Sequence, residues 1–111
     1  MKPQSTIYRG MRANPDEQTA SDVLVYVDDQ PLDIKPSLKK WNHSPTGFSW
    51  GYSGSGPAQL ALAILLDYYG PDNEELWKRY QDFKFAAVSR WGDDWKITGY
   101  EIDEIVRGAA A

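Results

Sequence analysis

The chain contains no cysteine. Disulfides, thiolate metal sites and a cysteine nucleophile are therefore excluded, and a reducing compartment is the expected setting. His43 is the only histidine, and one imidazole without thiolates does not make an ordinary zinc site. Long apolar runs are also lacking. The longest, Leu60 to Leu66, is far too short to cross a bilayer. The opening residues Met1 to Ser5 have no apolar core of a secretory signal, so the expected location is cytoplasmic, with no membrane partner. Basic charge is not in excess: 12 Lys/Arg face 16 Asp/Glu, for a net charge of −4. A nucleic-acid binder usually presents a basic face. Here only Arg9, Arg12, Lys35, Lys39 and Lys40 gather locally, so nucleic acid is not an expected partner. No cofactor fingerprint is present, and no cofactor is expected.

What the sequence does have is aromatic mass. Aromatic residues make up 14% of 111 positions, five of them Trp, which gives a short chain enough apolar surface to fold unaided. Residues 1–108 read as a single α+β domain, and Ala109 to Ala111 after Gly108 read as a cloning scar. Residues 57–111 carry the whole charge excess, with six basic and ten acidic side chains.

The N-terminal half reads as strands and turns. Thr6 to Arg12 is a strand candidate, and Asn14-Pro15-Asp16 signals a turn. Val23 to Val27 is the clearest strand, its unbroken apolar run predicting burial on both faces. Asp28-Asp29-Gln30 turns the chain, and Leu32 to Lys35, bracketed by Pro31 and Pro36, suits an edge. A further strand is expected around Phe48 to Tyr52. The C-terminal half reads as three helices. Pro57 to Tyr69 leaves almost no polar face, so it belongs at the centre of the fold, ended by Gly70-Pro71. Asp72 with Glu75 predicts the capped start of an amphipathic helix that runs to Gly92, with Leu76, Tyr80, Phe83 and Ala87 inward. After a short strand at Trp95 to Ile97, Thr98 and Glu101 form a second capping pair. The last helix turns Ile102, Ile105 and Val106 inward and Asp103 and Glu104 outward. The expected fold is a small, mainly antiparallel sheet from the N-terminal half packed against these three helices.

One segment carries candidate chemistry. Gly51-Tyr52-Ser53-Gly54-Ser55-Gly56-Pro57-Ala58-Gln59 feeds a glycine-rich loop into a helix start. Free amides there, with the helix dipole, attract anions. The hydroxyls of Ser53 and Ser55 add donors, and Gly54 and Gly56 let a phosphate approach. Trp41, Phe48, Trp50 and Tyr52 just upstream offer rings on which a base can stack. Arg9 and Arg12 supply counter-charge, and His43 and Gln59 complete the candidate ligand set. The glycine spacing matches neither a Walker loop nor the dinucleotide fingerprint, and Pro57 removes one amide. The same residues also read as a tight crossing over the sheet, with Phe48, Trp50 and Tyr52 on one strand face filling the core. Nothing in the sequence orients His43 as a general base.

The run from Asn42 to Ala63, with Tyr8-Arg9-Gly10 upstream and Tyr80-Gln81-Asp82-Phe83-Lys84 downstream, resembles an uncharacterised family of small proteins of bacteria, plasmids and phage-like elements, classed as a domain of unknown function. The resemblance implies no established enzymatic activity. It implies an accessory or anti-defence role, as an inhibitor or a sequestering protein. Two binding functions follow as expectations: non-catalytic sequestration of an anionic, nucleotide-like ligand, or inhibition of a host protein by direct binding. An enzyme of another type is a third reading, with no nucleophile–base pair in the sequence to support it.

Overall fold

The computed structural model describes residues 1–12, 23–45 and 47–108. The turn signal Asn14-Pro15-Asp16 and Ala109 to Ala111 lie outside the described residues. Among the described residues, four strands form one antiparallel sheet: β1 (Ile7–Arg12), β2 (Val23–Val27), β3 (Gln30–Pro31) and β4 (Asp94–Thr98). Their order is β3-β2-β1-β4, so three strands come from the N-terminal half and one from the C-terminal half. The helices are α1 (Lys35–Lys40), α2 (Ser55–Tyr69), α3 (Glu74–Trp77), α4 (Tyr80–Ala86) and α5 (Gly99–Gly108), with a 3-10 turn at Val88–Arg90.

The β2–β3 hairpin closes on two residues, Asp28 and Asp29, with φ of 46° and 68°. This primed turn matches the twist of the flanking strands, and Asp is one of the few side chains that tolerates it. Asp28 also locks the turn to β1: its amide donates to the Ile7 carbonyl, and its Oδ1 accepts from the Ile7 amide, each at 2.9 Å. Strand alternation then sorts the sheet. Tyr8, Val25, Val27, Trp95 and Ile97 face inward, while Ile7, Arg9, Leu24 and Lys96 face outward. Burial of Val23 to Val27 is therefore one-sided and not two-sided as its composition predicts, because an antiparallel sheet can leave one face to solvent.

Helix α2 is the centre of the fold, as its lack of a polar face predicts. Every residue from Gly56 to Leu66 is buried. Tyr8 joins the helix to the sheet: its ring meets Tyr68 edge-on at 6.5 Å, and its hydroxyl donates to Asp67 at 2.6 Å. The helix ends at Gly70, whose φ of 88° only glycine adopts at ease.

Four sequence expectations are corrected here. Leu32 to Lys35 is not an edge strand. The edge is Gln30–Pro31, Leu32 is buried, and α1 begins at Lys35 with Pro36 in its first turn, where proline's fixed φ suits a helix. Phe48 to Tyr52 forms no strand. The single helix expected from Asp72 to Gly92 is broken into α3, α4 and the 3-10 turn, and Asn73, not Asp72, precedes it. The breaks let Trp77, Tyr80, Phe83 and Val88 all reach the core, and free Trp91 to stack on Trp95 at 3.9 Å. Asp103 is buried, not on the outer side of α5. The Thr98–Glu101 capping pair forms as expected, with reciprocal bonds of 3.2 and 3.3 Å.

Candidate functional site

The glycine-rich entrance to α2 is shaped by its own neighbours. Gly51 turns the chain at φ 84° and donates its amide to the Val88 carbonyl at 3.0 Å. That turn separates three rings that strand alternation would align: Phe48 and Trp50 go into the core, and Tyr52 stays 52% exposed. The Tyr52 ring then folds back across the helix start. A methyl group on Gly54 would lie 2.6 Å from it, and one on Gly56 would lie 2.6 Å from Ser49 Cβ and 3.2 Å from the Tyr52 hydroxyl. The glycines thus make room for Tyr52 and Ser49. Ser53 and Ser55 remain exposed, and no side chain caps the helix at Gly54.

The other members of the expected ligand set do not converge on this entrance. Trp50 is fully buried, with its indole N–H donating to the Gly92 carbonyl at 2.6 Å and its ring edge on Trp95, so it has no face on which a base can stack. Arg12 is consumed internally. It donates to the Trp50 carbonyl at 3.1 Å, pairs with Asp93 at 3.4 Å, and lies 4.8 Å from the centre of the Trp50 ring. Arg9 sits on the outward face of the sheet, 3.9 Å from Asp29. Gln59 is fully buried as a brace: its carbonyl oxygen accepts from the His43 and Ser44 amides at 2.7 and 3.0 Å, and its Nε2 donates to Ser37 Oγ at 2.8 Å. It ties α1, α2 and the His43 loop together.

That brace builds a different surface. Trp41, just past the end of α1, is 61% exposed and stacks parallel to His43 with ring centres 6.0 Å apart. His43 Nε2 lies 2.9 Å from the Tyr80 hydroxyl. One turn further along α4, Lys84 is only 8% exposed, yet among the described residues it has no acidic partner within ion-pair distance. Its ammonium lies 4.1 Å from the centre of the Phe85 ring, which is 54% exposed. Burial lowers the His43 pKa, and the Lys84 charge lowers it further, so His43 is neutral at pH 7. Most of the Lys84 side chain is therefore packed against the fold, and its ammonium emerges over the exposed Phe85 ring, on the same side as the neutral His43 imidazole.

Lys84 is the residue that reading the sequence misses. The signal was present, because Lys84 falls four residues after Tyr80, on the inward stripe of an amphipathic helix, where a lysine is out of pattern. A second polar cluster also escapes the sequence. Asp103 accepts from Gln4 Nε2 (2.8 Å), Tyr69 (2.7 Å), Tyr68 (3.0 Å) and Arg107 Nε (3.2 Å). Burial alone would raise its pKa, but these donors outweigh it and hold the carboxyl below its usual value. All of its partners are satisfied, and the cluster ties the N-terminus, α2 and α5 together. Among the described residues no three His, Asp or Glu side chains gather as metal ligands, and no helix is long and apolar enough to cross a membrane.

Fold and surface together define a small α+β protein whose four-stranded antiparallel sheet is backed by a buried helix and which displays an aromatic face around a lysine. The chain belongs to a family of unknown function (DUF6166), whose model matches residues 8–108. Neither the curated proteins nor the solved structures contain a match to it.

Proposed function

We propose that this protein is a non-catalytic binding module whose working surface is the face formed by Trp41, His43, Lys84 and Phe85. It docks there on a protein partner that presents an acidic group. The observation that carries the reading is Lys84, which is more than nine-tenths buried and lacks an acidic partner among the described residues. A carboxylate brought by a partner supplies the missing counter-charge. The exposed Phe85 ring shields one side of that pair, and the Trp41–His43 stack adds exposed aromatic surface to the same face. A host protein bound for inhibition is the partner class implied by the motif resemblance.

A second reading has one observation in its favour. The exposed Trp41 ring, stacked on His43, also suits a nucleotide, with the base on Trp41 and a phosphate at Lys84. This keeps the nucleotide class but moves it away from the α2 entrance, where Tyr52 occupies the space above the glycines.

Two measurements separate these readings. Thermal denaturation against a panel of mono-, di- and cyclic nucleotides is expected to be flat on the protein reading. Immobilised protein is expected to retain a stoichiometric partner from a host lysate, and Trp41→Ala or Phe85→Ala to lose it while melting like the wild type. A nucleotide shift abolished by Trp41→Ala selects the second reading. A partner retained equally by both variants refutes the assignment of this face.

A further inference from the structure

A groove lies elsewhere, between α1 and the C-terminal half of α2, with a volume of about 530 Å³. This is within the range of small-molecule sites, which are mostly apolar with a few placed polar groups. Its apolar lining comes from Leu32, Pro36, Ala63 and Leu66, and its basic rim from Lys39 and Lys40. Two carboxylates also border it, one paired with a cation and one bonded only to the backbone. Asp67 holds Lys2 at 2.7 Å and the Tyr8 hydroxyl at 2.6 Å. Asp33 accepts from the Lys35 amide at 2.9 Å, just ahead of α1. Helix α1 has six residues, a length of about 9 Å at the helical rise, and that length separates Asp33 from the lysines at its other end. With Asp67 paired, Asp33 leaves a negative charge at one end of the groove and the lysines a positive charge at the other, where Lys40 also lies 5.6 Å from the centre of the Trp77 ring. Lysines in the last turn complement the helix dipole by themselves, but a dipole does not call for an apolar hollow beside them.

We propose that this groove binds a small amphiphilic anion, a linear apolar body bearing one carboxylate. The body lies over Leu32, Ala63 and Leu66, and the carboxylate pairs with Lys39 and Lys40. The site is separate from the Trp41–Phe85 face and stands or falls independently of it.

The test is an amide chemical-shift titration of the whole chain with decanoate below its micelle concentration. Acetate serves as the head group alone, and decyltrimethylammonium as the same chain with the opposite charge. Decanoate is expected to give saturable shifts at Leu32, Ala63, Leu66 and Gly70. Acetate is expected to give none there, and the ammonium much smaller ones. The double variant Lys39→Gln/Lys40→Gln is expected to bind decanoate about fivefold more weakly, the worth of two exposed ion pairs. Pro36→Asp, which places a carboxylate in the wall at a helix start that favours it, is expected to weaken binding as well. Absent shifts, shifts outside the groove, equal shifts with the cationic amphiphile, or unchanged affinity in both variants would each overturn the assignment.

Discussion

Tyr69 donates its hydroxyl proton to Asp103 Oδ1 at 2.7 Å, joining the end of α2 to α5. The same carboxylate also takes bonds from Gln4, Tyr68 and Arg107, so an ionised Asp103 organises three parts of the chain. Asp103→Asn is expected to cost about 1.5–3 kcal/mol at neutral pH, the range for hydrogen bonds to a charged group. Because the folded carboxyl lies below its unfolded value, this stability is present above about pH 4, the unfolded pKa, and is lost as pH falls through the folded pKa. Urea denaturation of both proteins between pH 7 and pH 2 is expected to show the gap closing on acidification. A gap independent of pH would contradict the account.

The tyrosines beside these carboxylates shift the other way. Burial pushes Tyr68 up to about 12, and its bond to Asp103 adds to the effect. Tyr69 and Tyr8 are raised further by burial and by their bonds to Asp103 and Asp67. The unfolded chain ionises these phenols first, so stability is intact below about pH 10 and falls as pH rises beyond it. Absorbance at 295 nm should show three of the seven tyrosines titrating late, or only on unfolding. Seven titrating together near the ordinary value would refute the burial of this cluster.

Two packing predictions follow from the core. A methyl at Gly10 would fall inside the Trp95 indole, across the β1–β4 pair. Gly10→Ala is expected to lose about 1–3 kcal/mol by overpacking, measured by denaturant midpoint. Ile64→Asp, at a fully buried position on α2, buries an unpaired charge and is expected to lose more than about 4 kcal/mol. Melting like the wild type would contradict the central position of α2.

Lys84 carries the opposite prediction. Lys84 is in ion-pair contact with no acid among the described residues, so its charge adds nothing to the stability of the free protein by pairing. Lys84→Met is expected to melt at the same temperature or higher, by up to about 2 kcal/mol in stability, while losing the partner. A marked loss of stability would mean that Lys84 serves the fold.

The elements with a strong local signal were legible in the sequence. Val23 to Val27, the buried α2, its Gly70 end and the Thr98–Glu101 cap are each specified by residues close together in the chain. The failures have a common cause. Whether Trp50 or Tyr52 is buried depends on the φ of Gly51, which sits against the carbonyl of the distant Trp91, and on the Tyr52 ring folding back over the glycines. Asp103 reads as an exposed helix acid because its donors lie 4, 34, 35 and 99 positions away. The candidate set was selected by proximity in the chain, and the fold sends Arg9, Arg12, Trp50 and Gln59 to separate tasks. Of the residues the sequence singles out, Trp41 and His43 lie on the proposed face, and Lys84 and Phe85 come from a helix roughly forty positions on.

The most direct test of the central claim is the affinity of the captured partner for three proteins: the wild type, Lys84→Gln and Ser53→Ala/Ser55→Ala. Removing one member of a buried charge pair at an interface costs about 2–5 kcal/mol, which is at least thirtyfold in Kd. The account predicts that loss for Lys84→Gln and an unchanged Kd for the double serine variant. An unchanged Kd for Lys84→Gln with a loss at the serines would return the binding site to the glycine-rich entrance of α2 and contradict the assignment made from the structure.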